Sequence, residues 1–322
     1  MGSLVDGKWQ RGDVAKTSAS GHFERGDSTL RHWVTPDGSA GPTGRAGFAA
    51  EPGRYHLYVS LACPWASRTL IMRAWKKLEP LITLSVTHWH MGEDGWTFEP
   101  GEGVIPDPVH GATHLHQLYT HAEPHYTGKV TVPVLWDKQQ DTIVSNESAD
   151  IVRMFNSAFA RVGAADVDFY PSALRAEIDA VNERVYNTLN NGVYRAGFAK
   201  SQEAYEEAAR GVFETLDWLE QRLARTRFVV GDTPTEADVR LFTTLVRFDA
   251  VYHGHFKCNV RRLVDYANLF AYARAIYQLP GVASTVSFEH IKRHYYTSHP
   301  AINPSRIVPV GPQIDWNEPT RR

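Results

Sequence analysis

The stretch from Tyr55 to Leu78, YHLYVSLACPWASRTLIMRAWKKL, constrains the fold more than any other part of the 322-residue chain. Tyr55, Leu57 and Val59 alternate along one face of a strand, whereas Leu70, Ala74 and Leu78, joined by Ile71 and Trp75, recur at helical spacing. Cys63 and Pro64 fall at the junction. Proline suits the first turn of a helix, because its ring presets φ and its missing N–H would have had no intrahelical partner there. Cys63 is therefore expected at or beside the N-cap. Unpaired backbone N–H groups and the positive end of the helix dipole favour a thiolate at that place, lower its pKa and make it a nucleophile near neutral pH. A lone cysteine taken by itself reads as a small buried hydrophobe; the strand, Cys-Pro and helix in sequence favour the nucleophile.

The length fits two domains, and a 43% share of hydrophobic residues supplies a core. A formal net charge of −2 gives no field that would draw in nucleic acid or an anionic membrane surface. Small molecules or proteins are the expected partners. The two cysteines, Cys63 and Cys258, stand far apart, unlike the disulfide framework of a small secreted domain. The first 21 residues lack the apolar core of a signal peptide, and no apolar run is long enough to span a bilayer. A soluble protein in a reducing cytoplasm is expected.

Residues 1–54 read as an N-terminal extension, an arm anchored by Trp9, Phe23 and Trp33, with a disordered tail as the alternative. Residues 55–160 carry the pattern β-α-β, a long insertion at 91–127 rich in Gly, Pro and His, then a β-hairpin and a helix. The second strand is predicted over Leu81–Trp89, and the hairpin strands over Thr131–Trp136 and Thr142–Val144 with a turn around Lys138–Gln140. Insertions of that length in a compact domain usually serve function. The order is that of a thioredoxin-like α/β domain. Beyond a polar linker, residues 172–300 form an all-α domain, with helices predicted over Ala173–Thr188, Ser201–Leu223, Glu236–Tyr252, Leu263–Tyr277 and Val282–His290. Thr235 and Asp238 form a capping pair ahead of the third of these. Residues 301–322 read as a tail.

Three motifs bear on chemistry. Pro133 at the start of a strand has no ladder hydrogen to give; it is either an edge-strand proline or a cis X–Pro facing the cysteine, leaving the backbone of Val132 to pair with a peptide-like ligand. Glu147 and Ser148 open a helix, either as a plain capping pair or as a cradle for the γ-glutamyl end of glutathione, with Ser148 donating and Glu147 accepting from an ammonium. Ala66 occupies the place of a second cysteine, so CPWA supports a monothiol mechanism in which glutathione must resolve any mixed disulfide. Cys258 reads as a core or surface thiol, not a resolving one. His110, His114, His116, His121 and His125 lack the paired spacing of a structural zinc site and there is no HExxH motif, so they read as loop or packing histidines and no metal is expected.

Cys63-Pro64-Trp65-Ala66, Gly95-Trp96, Thr131 to Asp137, Ser145 to Ser148, Asn191 to Tyr194 and His294-Tyr295-Tyr296 follow in an order that resembles the glutathionyl-hydroquinone reductases, the xi class of glutathione transferases. The resemblance spans nearly the whole chain. It implies the glutathione transferase fold, a homodimer, glutathione as co-substrate and glutathionylated aromatic quinols as substrates. It implies that Cys63 is the nucleophile, that Trp96 walls the glutathione site, that Val132 pairs with the glutathione backbone, and that Glu147 and Ser148 hold its γ-glutamyl group. Tyr194 and Tyr295 are implied as catalytic hydroxyls near the quinol ring, with Tyr252 beside them. Lys129 stands where the family often has Arg, keeping the charge without the planar fork. Two other activities are compatible with the motifs: an omega-like thioltransferase sharing the same nucleophile, and a non-catalytic glutathione-binding or assembly module.

Overall fold

The computed structural model describes residues 2–12 and 16–320; sequence expectations for Met1, residues 13–15 and residues 321–322 lie outside them. The chain forms two compact units: residues 1–14, 27–167 and 285–294 make the first, and residues 15–26, 168–284 and 295–322 the second. Neither is continuous in sequence, so both draw on the N-terminal 54 residues.

In the first unit, β1 (Gly2–Val5) and β2 (Lys8–Arg11) make a hairpin. Its turn, Asp6-Gly7, takes φ of 48° and 72°, the left-handed pair that a two-residue hairpin loop requires. Leu4 is buried and exchanges both backbone hydrogen bonds with Gly128 at 2.9 Å. The indole of Trp9 donates to the Glu93 carbonyl at 3.0 Å. The N-terminal arm is thus a folded hairpin.

The main sheet comprises β5 (Tyr55–Val59), β6 (Ile82–Val86), β7 (Val134–Asp137) and β8 (Thr142–Ser145) in the order β6-β5-β7-β8. β5 runs parallel to β6 and antiparallel to β7, and β7 is antiparallel to β8. Every residue of β5 is buried, as a central strand covered on both faces should be. α1 (Pro64–Trp75) follows β5 as expected, and α3 (Ser148–Ser157) packs against it. This is the thioredoxin-like arrangement.

Several details of the first unit differ from expectation. β6 ends at Val86 and not Trp89; Val86 pairs with Val59 of β5 and also bridges Ile105, its N–H reaching the Ile105 carbonyl at 2.9 Å. β7 starts at Val134, so Pro133 precedes the strand. The insertion holds a helix, α2 (Leu115–Ala122), whose N-terminus is closed by a capping box between His114 and Gln117. Only Leu115, Leu118 and Tyr119 are buried there, too short an apolar stripe to stand out among histidines.

The second unit is helical apart from β3 (Lys16–Thr17) paired with β4 (Phe23–Glu24). Its helices are α4 (Arg175–Val185), α5 (Gly192–Phe198), α6 (Gln202–Leu223), α7 (Glu236–Arg247) and α8 (Ala267–Tyr277). α4 and α7 continue into π-helical turns at Tyr186–Asn190 and Phe248–Tyr252, which carry the helical path to about the predicted ends. The Thr235 and Asp238 capping box is present. Buried Asp238 accepts from Val229 N–H, Thr235 N–H and the Tyr272 hydroxyl at 2.7–2.9 Å, so it is a cap and a core hub.

The last helix, α9 (Phe288–Ser298), starts six residues later than predicted. The Ser287 hydroxyl accepts from His290 N–H at 3.1 Å and so sets the start. Residues up to His294 belong to the first unit, and Tyr295 begins the final segment of the second. Among the described residues, no helix is long and apolar enough to cross a membrane.

Candidate active site

Cys63 is the N-cap of α1, with extended φ and ψ of −77° and 121° and Pro64 following at the first helical position. The half-buried thiol donates to the Val132 carbonyl at 3.6 Å. The Val132–Pro133 peptide is cis, the second of the two readings of that proline. Of the two backbone groups of Val132 expected to meet a ligand, the C=O therefore already receives the thiol. The N–H makes no hydrogen bond among the described residues.

Glu147 caps α3: its Oε1 accepts from Ala149 N–H at 2.9 Å, and Ser148 is the first helical residue, buried. The capping reading is realised. Arg31 was not singled out by sequence. Its guanidinium grips Asp150 in the same turn through two hydrogen bonds of 2.7 and 2.8 Å. That bond to Asp150 raises the guanidinium pKa further. Lys129 lies half-buried before the cis peptide.

Trp96 is buried and stacks on the His294 ring, centroids 4.8 Å apart and planes inclined by 21°. His294 is held by the Trp89 carbonyl at 2.9 Å from Nδ1. Gly95, at φ +79°, lets the chain turn here, and a Cβ would lie 2.9 Å from the Trp9 ring.

In the second unit the three predicted tyrosines meet. The Tyr194 and Tyr295 hydroxyls are 2.5 Å apart, and Tyr252 reaches Tyr295 at 3.2 Å. Burial pushes the pKa of both Tyr252 and Tyr295 well above the ordinary phenol value, so both keep their protons. The Arg25 guanidinium lies 4.9 Å from the centre of the Tyr194 ring and donates to Asn191 at 2.7 Å. Sequence reasoning missed Arg25, though a charge inside the aromatic segment FERGDSTLRHWV was a usable signal. Cys258 is fully buried, and burial raises its pKa to about 12.

Residues 62–158 match the family model described as glutathione S-transferase, N-terminal domain, and residues 202–275 match the corresponding C-terminal domain. The chain is 56% identical, over all of its length and 98% of the relative's, to glutathionyl-hydroquinone reductase YqjG of Escherichia coli. It is 54% identical to glutathionyl-hydroquinone reductase PcpF of Sphingobium chlorophenolicum, over 97% of this chain and 96% of that one. The chain belongs to the glutathionyl-hydroquinone reductases. Its fold superposes on the glutathione-bound structure of YqjG with a TM-score of 0.93, covering 100% of this chain and 99% of that one at 54% identity. A xi class transferase from Natrialba magadii matches with a TM-score of 0.91 at 46% identity, over 100% and 96% of the two chains. As a xi class transferase, this reductase has the N-terminal glutathione-binding architecture with a cysteine at the start of α1, and Ala66 in place of a second thiol.

Proposed function

We propose that this reductase converts glutathionyl-hydroquinones to hydroquinones, using Cys63 as nucleophile and glutathione as co-substrate. The observation that carries the reading is Cys63 at the N-cap of α1, 3.6 Å from the carbonyl of Val132 beside a cis proline, in a motif with no second cysteine. The Cys63 thiolate attacks the glutathione sulfur of the substrate. An S–S bond forms, the ring C–S bond breaks, and its electron pair stays on the ring carbon, which takes up a proton. A second glutathione, as thiolate, attacks the mixed disulfide, releasing oxidised glutathione and the Cys63 thiolate. The sum is one glutathionyl-hydroquinone and one glutathione consumed, one hydroquinone and one oxidised glutathione formed.

In this proposal the N–H of Val132 pairs with the glutathione backbone, Trp96 walls the tripeptide, the first turn of α3 with the Ser148 hydroxyl donates to the γ-glutamyl carboxylate, and Glu147 accepts from its ammonium. Lys129 contributes charge, and Pro133 shapes the backbone next to Val132. Tyr194 and Tyr295 act on the departing hydroquinone, stabilising its oxygen and supplying the proton, with Tyr252 as the third hydroxyl of the chain. High phenol pKa values suit donors that keep the proton until a ring oxyanion or carbanion develops. The same thiolate would exchange with small disulfides as a side activity. The reading extends to a homodimer in a reducing cytoplasm, where glutathione stays reduced.

The test is turnover of glutathionyl-menadiol with glutathione by the purified protein and its Cys63→Ala variant. Loss of turnover, together with a glutathione adduct mapped to Cys63 in the wild type, is expected. Retained turnover in Cys63→Ala would sink the mechanism.

A further inference from the structure

The histidines of the insertion were expected to be loop or packing residues, and two of them converge with a carboxylate from elsewhere in the first unit. His121 Nε2 lies 2.6 Å from one oxygen of Asp141, and His110 Nε2 lies 3.1 Å from the other. The two imidazoles are 4.4 Å apart between ring centroids, and one donor atom from each of the three residues falls within 4.8 Å of the others. We propose that His110, His121 and Asp141 form a binding site for a divalent transition metal of borderline softness, Zn²⁺ by chemistry, that clips the insertion to the β7–β8 turn.

The three residues come from three different local structures, each fixed independently of the cluster. The backbone of His110 is held by the buried carboxylate of Asp107, which accepts from the N–H groups of Val109, His110 and Ala112 at 2.9–3.2 Å. Asp107 is itself anchored by the Tyr58 hydroxyl at 2.7 Å. His121 stands in the last turn of α2. Asp141 closes the hairpin turn at φ +53°, a left-handed conformation that costs a non-glycine residue energy and that Asp and Asn tolerate best. Both rings pack on the fully buried Trp136 of β7, His110 edge-on at 5.0 Å and His121 at 5.9 Å, which fixes their planes. Preorganised supports of this kind are what a ligand set needs to keep its geometry.

Two imidazole nitrogens and one carboxylate are a ligand set used by zinc and by other late divalent ions. Bonds of about 2.0–2.2 Å at tetrahedral angles place donor atoms about 3.3 Å apart. The His121–Asp141 contact of 2.6 Å opens by under about 1 Å, and the widest donor pair, within 4.8 Å, closes by at most about 1.5 Å to meet that spacing. Three protein ligands leave a fourth position for water. The side chains of His121 and Asp141 are 45% and 51% exposed, which gives the ion an entry path. The sequence concealed the set because its members are 11 and 20 residues apart and none shows a paired metal-ligand spacing.

The experiment uses untagged full-length protein carrying Cys63→Ser, which removes the one half-buried thiol that would compete for metal. Co²⁺ is titrated while the visible d–d bands are followed, and Zn²⁺ is titrated by calorimetry. One ion per chain is expected, with affinity reduced at least tenfold by His110→Gln, His121→Gln and Asp141→Asn; Asn keeps the left-handed turn while losing the carboxylate. Zn²⁺ is expected to raise Tm in the parent and not in Asp141→Asn. Absence of binding, or binding that none of the three substitutions weakens, overturns the proposal.

Discussion

The Tyr194 hydroxyl lies 2.5 Å from the Tyr295 hydroxyl, although the two residues are 101 positions apart. Tyr295 also meets Tyr252, so one phenol sits at the centre of a three-hydroxyl chain. If this chain serves the aromatic leaving group, its loss should separate two activities of one thiolate. Tyr295→Phe is expected to lower turnover of glutathionyl-hydroquinone by about 10²-fold, the scale of removing one hydroxyl donor to developing charge. Exchange with a small disulfide, whose leaving group is a thiolate needing no such help, should change less than about threefold. Equal losses in both assays would assign Tyr295 to the fold.

The two cysteines should differ sharply in reactivity. Cys63 is half-buried at a helix N-cap, whereas Cys258 is fully buried and held near pKa 12 by its apolar surroundings. Iodoacetamide at pH 8 on the native protein is expected to label Cys63 and leave Cys258 unmodified, as read by peptide mass spectrometry. Cys258→Ala should leave reductase turnover unchanged. Labelling of Cys258 ahead of Cys63 would contradict the assignment.

Arg54 and Asp137 make a buried ion pair, 5% and 0% exposed, and Arg54 also reaches Glu51 and the Gly47 carbonyl. Removing one partner strands a charge in the core, so Asp137→Ala should cost about 3–5 kcal/mol of stability. Chemical denaturation of the variant checks this. A loss below about 1 kcal/mol would show that Arg54 is rescued by its other partners.

Two buried histidines make stability depend on acid. His56 sits between the hydroxyls of Thr83 and Ser85, and His255 beside His299; burial lowers the pKa of both His56 and His255 to about 4. Unfolding restores a pKa near 6.5, so the unfolded chain binds more protons between these values and stability falls as pH drops from 6.5 towards 4. Each histidine contributes roughly 3 kcal/mol that is fully present above pH 6.5. Thermal melts should show Tm falling through that window, with a shallower fall in a His56→Gln variant. An unchanged slope in that variant would remove His56 from the account.

What the sequence made legible was local. Pro64 after Cys63 placed the N-cap, and Thr235 with Asp238 placed the start of α7, because those signals lie within one turn of the structure they set. Pro133 was readable as one of two cases, and Glu147 was read both as a cap and as a ligand holder; its capping bond is now visible. The helix α2 escaped notice because its stripe is three residues deep, and the start of α9 was misplaced because a single serine sets it. Contacts across the chain left no local trace of the partner each residue would meet. Arg31 with Asp150, Arg25 with Asn191, and His110 and His121 with Asp141 each join segments whose proximity only the folded backbone creates.

The discontinuous make-up of the two units bears on how the protein is made. Trp96 acquires its stacking partner only when His294 exists, and His294 leaves the ribosome after residues 168–284 of the second unit. Domains emerging from synthesis usually fold in order from the N-terminus. Here the first unit is complete in sequence only after residues 168–284 of the second have been translated. The Trp96–His294 stack therefore becomes possible only with the last tenth of the polypeptide, and a nascent chain stalled before it carries Cys63 and Trp96 without that ring contact.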